Sequence, residues 1–322
     1  MIVANNERVL VSLIKEIAAE QNLKLAGFSQ DWILRLTKGD ITRHVFGYNF
    51  EINSATAQLL AGDKGAVSDL CQHLSIPHVE HRIFLHPKIS GYVSRSGNWP
   101  AMLAYAEKIG YPLVVKPNVG TGGEDVTRVD NPAELEQTVL QLFDVHRAIC
   151  LSPYLEFEQE YRAVMLDETC ELLYAKRRPH VVGNGRSSVL ELIERLHVSG
   201  LLTQEMAGQA IEQHSGELKQ VPDQGQEVII GWKHNLGEGS APQLVEAGPL
   251  HDQLVSLARD AQRAVNIRFA SVDIVQTKGQ LLLLEINSGV MMEYFVRHFE
   301  NGLGMAKAIY SKAVSKMFSD IQ

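Results

Sequence analysis

The sequence predicts an α+β fold with a sizeable core. Strand-like and helical stretches mix without the regular alternation of a doubly wound sheet, and hairpin patterns recur. The 322 residues are 45% hydrophobic and 21% charged. That is enough apolar material for a core, and the length alone suggests about two or three domains.

Each element has a local reason. Val9, Leu10, Leu13, Ile14 and Ile17 share one stripe of a helix over 8–20. Short strands are expected near 23–28, 32–37 and 44–50. From Asn53 the chain reads as helix, and Asp63 caps a second helix that ends near Leu74, ahead of Ile76-Pro77. Residues 86–99, rich in Gly, Ser, Pro and Asn, read as a connection between domains. A helix over 101–109 stops at Gly110, and a buried strand covers 111–117. Asn131-Pro132-Ala133-Glu134 supplies the cap, first-turn proline and glutamate of a helix that runs to about His146. Strands follow near 148–152, 161–166 and 171–174, then helices over 187–196 and 202–213. A strand over 226–232, a helix over 252–265, a hairpin over 270–287 and a last helix over 305–317 complete the pattern.

A net charge of −8 argues against a broad nucleic-acid footprint, though a local basic pocket is compatible with it. The N-terminus lacks the apolar stretch of a signal peptide, and no apolar run approaches the ~18 residues of a membrane span. Cys71, Cys150 and Cys170 are odd in number and widely spaced. A disulfide framework is therefore not expected, and a cytoplasmic location is.

The most informative segment is the hairpin. Asp273 and Glu285 each sit six residues from Gly279, and Asn287 follows Glu285 by two. A turn centred on Gly279 places the two acids directly opposite, ~5 Å apart, and the period of two puts Asn287 on the same face. Three oxygen ligands then converge in an apolar sheet, which a hard cation such as Mg²⁺ would satisfy. An exposed hairpin edge with solvated acids is the alternative.

A second segment, Lys116-Pro117-Asn118-Val119-Gly120-Thr121-Gly122-Gly123, delivers a lysine from a buried strand into a glycine loop. Glycine backbones can approach phosphate oxygens closely and lysine adds a point charge, but the spacing is neither a P-loop nor a dinucleotide fingerprint. A loose hairpin turn would read the same way. Lys176-Arg177-Arg178 is either a solvated cationic face or a phosphate-stabilising group, for which Arg suits bidentate recognition. Asn235, in His234-Asn235-Leu236-Gly237, lies in a second glycine-rich turn. The tract Cys71, His73, His78, His81 and His86 fits no zinc spacing and is set aside. No Gly-x-Ser-x-Gly elbow or other convincing nucleophile appears.

Read in order, Asp63-Lys64, Ile109 to Lys116 with its glycine loop, Glu160-Tyr161-Arg162, Arg177, Asn235 and Asp273…Glu285-Ile286-Asn287 resemble the ATP-grasp superfamily of carboxylate–amine ligases. The stretches Gly47 to Ser54 and Arg177 to Ser187 look most like the ATP-grasp part of cyanophycin synthetase. Ribosomal-protein glutamate ligases and glutathione synthetases are similar at greater distance.

The resemblance implies two α+β subdomains clasping ATP behind a short N-terminal α/β domain, divided as 1–80, 81–153 and 154–322. It assigns Lys64 and Lys116 to the phosphates of ATP, Gly120, Gly122 and Gly123 to a lid, and Ser152, Tyr154 and Leu155 to the adenine hinge. Glu160 would meet the ribose. Arg177 would stabilise the phosphoryl group in flight, with Asn235 and Arg162 as further catalytic candidates; Arg162 could equally be structural. Asp273, Glu285 and Asn287 would hold two Mg²⁺ ions, Glu285 shared. The implied chemistry joins an amino-acid or peptide carboxylate to an amine through an acyl phosphate, releasing ADP and phosphate.

Asn184 stands where the cyanophycin pattern has aspartate, and Ser288 to Phe295 lack its proline-glycine and histidine. Nor does the chain have room for that family's further domains. A stand-alone ligase is expected, with small-molecule amino-acid or peptide substrates, no nucleic-acid or membrane partner, and a homodimer as one candidate assembly. A kinase-like ATP-grasp enzyme and a non-catalytic nucleotide-binding regulator are the other readings. A nicotinamide dehydrogenase is disfavoured, because the glycines precede a strand.

Overall fold

The computed structural model describes residues 7–90, 99–120, 123–231 and 241–319. In chain order, helix α1 (Val9–Glu20) leads into strands β1 (Lys24–Phe28), β2 (Ile33–Lys38), β3 (Ile41–Phe46) and β4 (Asn49–Phe50), then helices α2 (Ala55–Gly62) and α3 (Lys64–His73). Next come β5 (Arg82–Leu85), α4 (Pro87–Ser90), α5 (Trp99–Ile109), β6 (Leu113–Pro117), β7 (Thr127–Val129), α6 (Pro132–Val145) and β8 (Ala148–Pro153). The hairpin β9 (Gln159–Leu166) and β10 (Thr169–Arg177) is followed by β11 (His180–Val182), α7 (Val189–Val198), α8 (Gln204–Gln213) and β12 (Glu227–Ile229). The remainder is β13 (Ala241–Leu244), α9 (Pro249–Ala264), β14 (Phe269–Thr277), β15 (Gln280–Asn287), α10 (Glu293–His298) and α11 (Gly302–Ser319).

These elements make three larger antiparallel sheets, ordered β1-β2-β3-β4, β5-β8-β6-β7 and β13-β10-β9-β14-β15. The five-stranded sheet is the centre. One face packs under α2, α3 and α9 through residues such as Tyr161, Val272, Leu254 and Ala258. The other meets the N-terminal sheet, α1 and α11 at one end. There Tyr174 and Phe269 share one core with Leu10, Leu13, Ile14 and Ile17, the buried face of α1. The sheet β5-β8-β6-β7 carries α5 and α6 on a separate core of its own, and β11, β12, α7 and α8 form a fourth cluster. No helix among the described residues is long and apolar enough to cross a membrane.

Local chemistry explains most boundaries. Asp63 caps α3 by accepting from Ala66 N at 2.8 Å, and Asn131 caps α6 by accepting from Glu134 N at 3.0 Å. The helix expected from Asn53 is instead capped by Ser54, which accepts from Ala57 N at 3.1 Å. Asn53 turns towards the start of β14, accepting from Arg268 N and Phe269 N and donating to Phe269 O. The strand expected over 44–50 breaks into β3 and β4 at Gly47, whose φ of +60° suits glycine. Sequence periodicity did not reveal β13, which pairs with β10 at the sheet edge.

Two hairpins share an irregularity that decides what the sheet presents. Lys278 and Gly279 both have positive φ and form a two-residue turn, with Thr277 opposite Gln280. A regular ladder from that turn would place Leu284 opposite Asp273. A bulge between Asp273 and Ile274 leaves Leu284 as the extra residue, and Asp273 faces Glu285. The turn at Asp167-Glu168 and a bulge at Glu171 do the same for β9 and β10, setting Arg162 opposite Tyr174 and Glu160 opposite Lys176.

Candidate active site

The site lies where the five-stranded sheet faces β6 and the N-terminus of α3. Asp273 on β14 is a buried acid, 1% exposed. Arg162, its partner across the ladder, grips both carboxylate oxygens at 2.7 and 2.6 Å. Lys176 Nζ lies 3.1 Å from Asp273 Oδ2 and also donates to Glu160. Burial alone would raise the Asp273 pKa, but Arg162 and Lys176 outweigh it and hold the carboxyl well below the usual range. Burial pushes Glu160 up to about 7, with Lys176 opposing the rise and Asp273 adding to it.

Lys64 opens α3. Its backbone N–H donates to Asn118 O and that of Gly65 to Asn118 Oδ1 at 3.0 Å, so the helix start is fastened to the end of β6. A Cβ at Gly65 would sit 2.9 Å from Ile83 Cβ, which explains the glycine. Lys64 Nζ donates to Gly120 O at 2.8 Å and lies 3.9 Å from Glu285 Oε2. Asn287 Nδ2 donates to Glu285 Oε1 at 3.1 Å, leaving the amide oxygen as a ligand. Beyond Asn287, Ser288 donates to Asn49 and Val290 N to Tyr48 O, so the 47–54 segment steadies the end of β15.

Lys116 on β6 is 7% exposed, and no carboxylate pairs with it among the described residues. Burial lowers its pKa to about 8; Glu285 opposes that shift and Lys64 adds to it. An anionic ligand would supply the missing counter-charge. Ligand binding should then take up a proton: affinity for a phosphate-bearing ligand is expected to be flat below pH ~8 and to weaken above it, by at most about tenfold per pH unit. Calorimetry between about pH 7 and 9.5 checks this, and an affinity that rises with pH would refute the role.

The structure thus brings Lys64, Lys116, Gly120, Glu160, Arg162, Asp273, Glu285 and Asn287 around one space. Gly123, with φ +76°, lies further along the same loop. Ser152 is buried on β8, and Tyr154 and Leu155 are half-buried in the link from β8 to β9, Tyr154 beneath the Arg128 guanidinium at 4.5 Å. Gly122 and Asn235 lie outside the described residues. Arg177 is not brought in: strand alternation turns it to the face opposite Lys176, where it pairs with Glu227 at the surface. Lys176, passed over in the cationic run, holds the central position; the period of two along β10 sets it apart from Arg177, and the facing of the strand decides which of the two enters the site. His81 is buried within electrostatic reach of Lys116 and Lys64; burial first, then those charges, keep its pKa well below the usual value. Among the described residues no group of three or more His, Cys, Asp or Glu side chains is placed to hold a metal.

Residues 87–155 match the family described as carbamoyl-phosphate synthase L chain, ATP binding domain. Cyanophycin synthetases from Nostoc sp. (strain PCC 7120) and Trichormus variabilis are 25% and 24% identical over 231 residues, 66% of this chain. The chain spans about a quarter of their length, 25% in each case. Among solved structures, a bifunctional glutathione synthetase from Pasteurella multocida superposes with a TM-score of 0.59 at 17% identity, covering 95% of this chain and 44% of that one. D-alanine–D-alanine ligase from Bacillus anthracis gives a TM-score of 0.53 at 14% identity, covering 82% and 68%. With its lysines and acids set between two antiparallel sheets, and with these structures sharing its frame, the chain has the ATP-grasp fold.

Proposed function

We propose that the chain is a Mg-ATP-dependent carboxylate–amine ligase acting on amino-acid or small-peptide substrates in the cytoplasm. The observation that carries this is Lys116, a buried lysine without a carboxylate partner among the described residues, set beside Lys64 and Glu285. In this reading residues 81–153 form the smaller lid part and 154–322 the larger part. Lys64 and Lys116 hold the phosphates, the loop at Gly120 and Gly123 covers them, and the 152–155 link receives the adenine.

The donor set fits a divalent ion at Glu285 and Asn287, while both oxygens of Asp273 are already engaged. When bound, Mg²⁺ neutralises phosphate charge and so lets an anionic carboxylate approach. Lys64 and Lys116 add positive charge from the other side, and exclusion of water between the sheets strengthens both effects. The substrate carboxylate attacks the γ-phosphate, ADP leaves, and the amine then displaces phosphate from the acyl phosphate.

Incubation with Mg-ATP and pooled amino acids tests the reading. Amino-acid-dependent ADP and phosphate with a new amide mass is the expected result; AMP and pyrophosphate would exclude the acyl-phosphate route. Arg177→Ala is expected to leave turnover within a few-fold of wild type, because its side chain faces Glu227. A loss of ~100-fold in kcat with unchanged KM would return Arg177 to the reaction centre.

A further inference from the structure

Glu160, Arg162, Lys176 and Asp273 meet on one face of the five-stranded sheet, and all but Arg162 are at most 7% exposed. With Glu160 ionised, their charges balance: two acids, one guanidinium and one ammonium. Arg162 takes both oxygens of Asp273, and Lys176 adds a contact of 3.1 Å to Oδ2 while holding Glu160. Mg²⁺ needs oxygen ligands at ~2.0–2.1 Å in a near-octahedral shell. On Asp273 it would face the Lys176 ammonium and leave a buried surplus of positive charge, which is costly. Among the described residues Glu285 has no such competitor in contact, since Lys64 stays 3.9 Å away.

We infer that Lys176 takes the place of a second metal ion: its ammonium bridges Glu160 and Asp273, and the chain binds nucleotide with one divalent ion, held by Glu285 and Asn287. The inference rests on the nucleotide reading above. It makes Asp273 an acceptor of fixed cations and Lys176 a built-in positive charge, present before any ligand arrives. Strand register is the cause, because the Glu171 bulge brings Lys176 level with Glu160.

Native mass spectrometry with Mn²⁺ and an ATP analogue bearing a non-cleavable β–γ bond counts the ions directly. The wild-type chain is expected to carry one Mn²⁺ per bound nucleotide, and Lys176→Met to carry two, since Asp273 and Glu160 lose their shared cation. Two ions on the wild-type protein would overturn the assignment while leaving nucleotide binding intact, as would a single ion on Lys176→Met. Should that variant fail to fold, the wild-type count alone decides. Absence of any nucleotide adduct would overturn the nucleotide reading, and this inference with it.

Discussion

Asp273→Ala is expected to destabilise the protein by ~3–5 kcal/mol, the usual cost of removing one partner from a buried ion pair. The carboxylate is 1% exposed and is the common acceptor for Arg162 and Lys176. Without it, two cations remain in the sheet with Glu160 as their only contacting acid there among the described residues. Domains of this kind are stable by only about 5–15 kcal/mol, so the urea midpoint should fall steeply. Asp273→Asn, which keeps the shape and one acceptor, should fall less. Arg177→Ala removes an exposed pair and should leave the midpoint near wild type. Equal midpoints for Asp273→Ala and Arg177→Ala would mean that the buried cluster does not hold the sheet together.

Glu285→Gln should do the opposite, sparing the fold and removing the reaction. Glu285 is partly open, with a side-chain exposure of 23%, and its nearest fixed cation among the described residues, Lys64, stands 3.9 Å away. Glutamine preserves its size and its contact with Asn287 but not its charge. By comparison with the loss of one electrostatic stabiliser elsewhere, turnover should drop on the order of 10²–10³-fold. Steady-state ADP release beside a melting curve separates the two effects. Near-normal turnover at an unchanged melting temperature would remove Glu285 from the proposed metal site.

Much of this site is legible in the sequence because it is carried by strands and caps, whose periods and spacings are local. Asp63 as a cap and Lys116 on a buried strand follow from neighbours only a few residues away. Asp273 does face Glu285, but through a two-residue turn and a bulge rather than a turn centred on Gly279. What escaped depends on tertiary placement. Arg177 and Lys176 are adjacent, and only the direction in which β10 faces its neighbours selects between them. Likewise, nothing within the hairpin announces that Arg162, from another strand, will occupy both oxygens of Asp273. Asn53 shows the same limit: it reads as a helix start, but its side chain is used by Phe269, far along the chain.

The two bulges have a consequence for counting. In an antiparallel ladder closed by a two-residue turn, directly opposed residues are always an odd number of positions apart. Asp273 and Glu285 are 12 apart, and Glu160 and Lys176 are 16 apart, both even. Even parity with such a turn demands one unpaired residue on the way. If the ladder were regular with Leu284 retained, Leu284 would face Asp273, and Glu285 and Asn287 would swing to the helix-covered face. Every candidate side chain would still be present, yet the two acids would no longer meet. Any protein with this hairpin can be read the same way: the parity of the spacing between its opposed acids reveals whether a bulge, or a loop of odd length, lies between them.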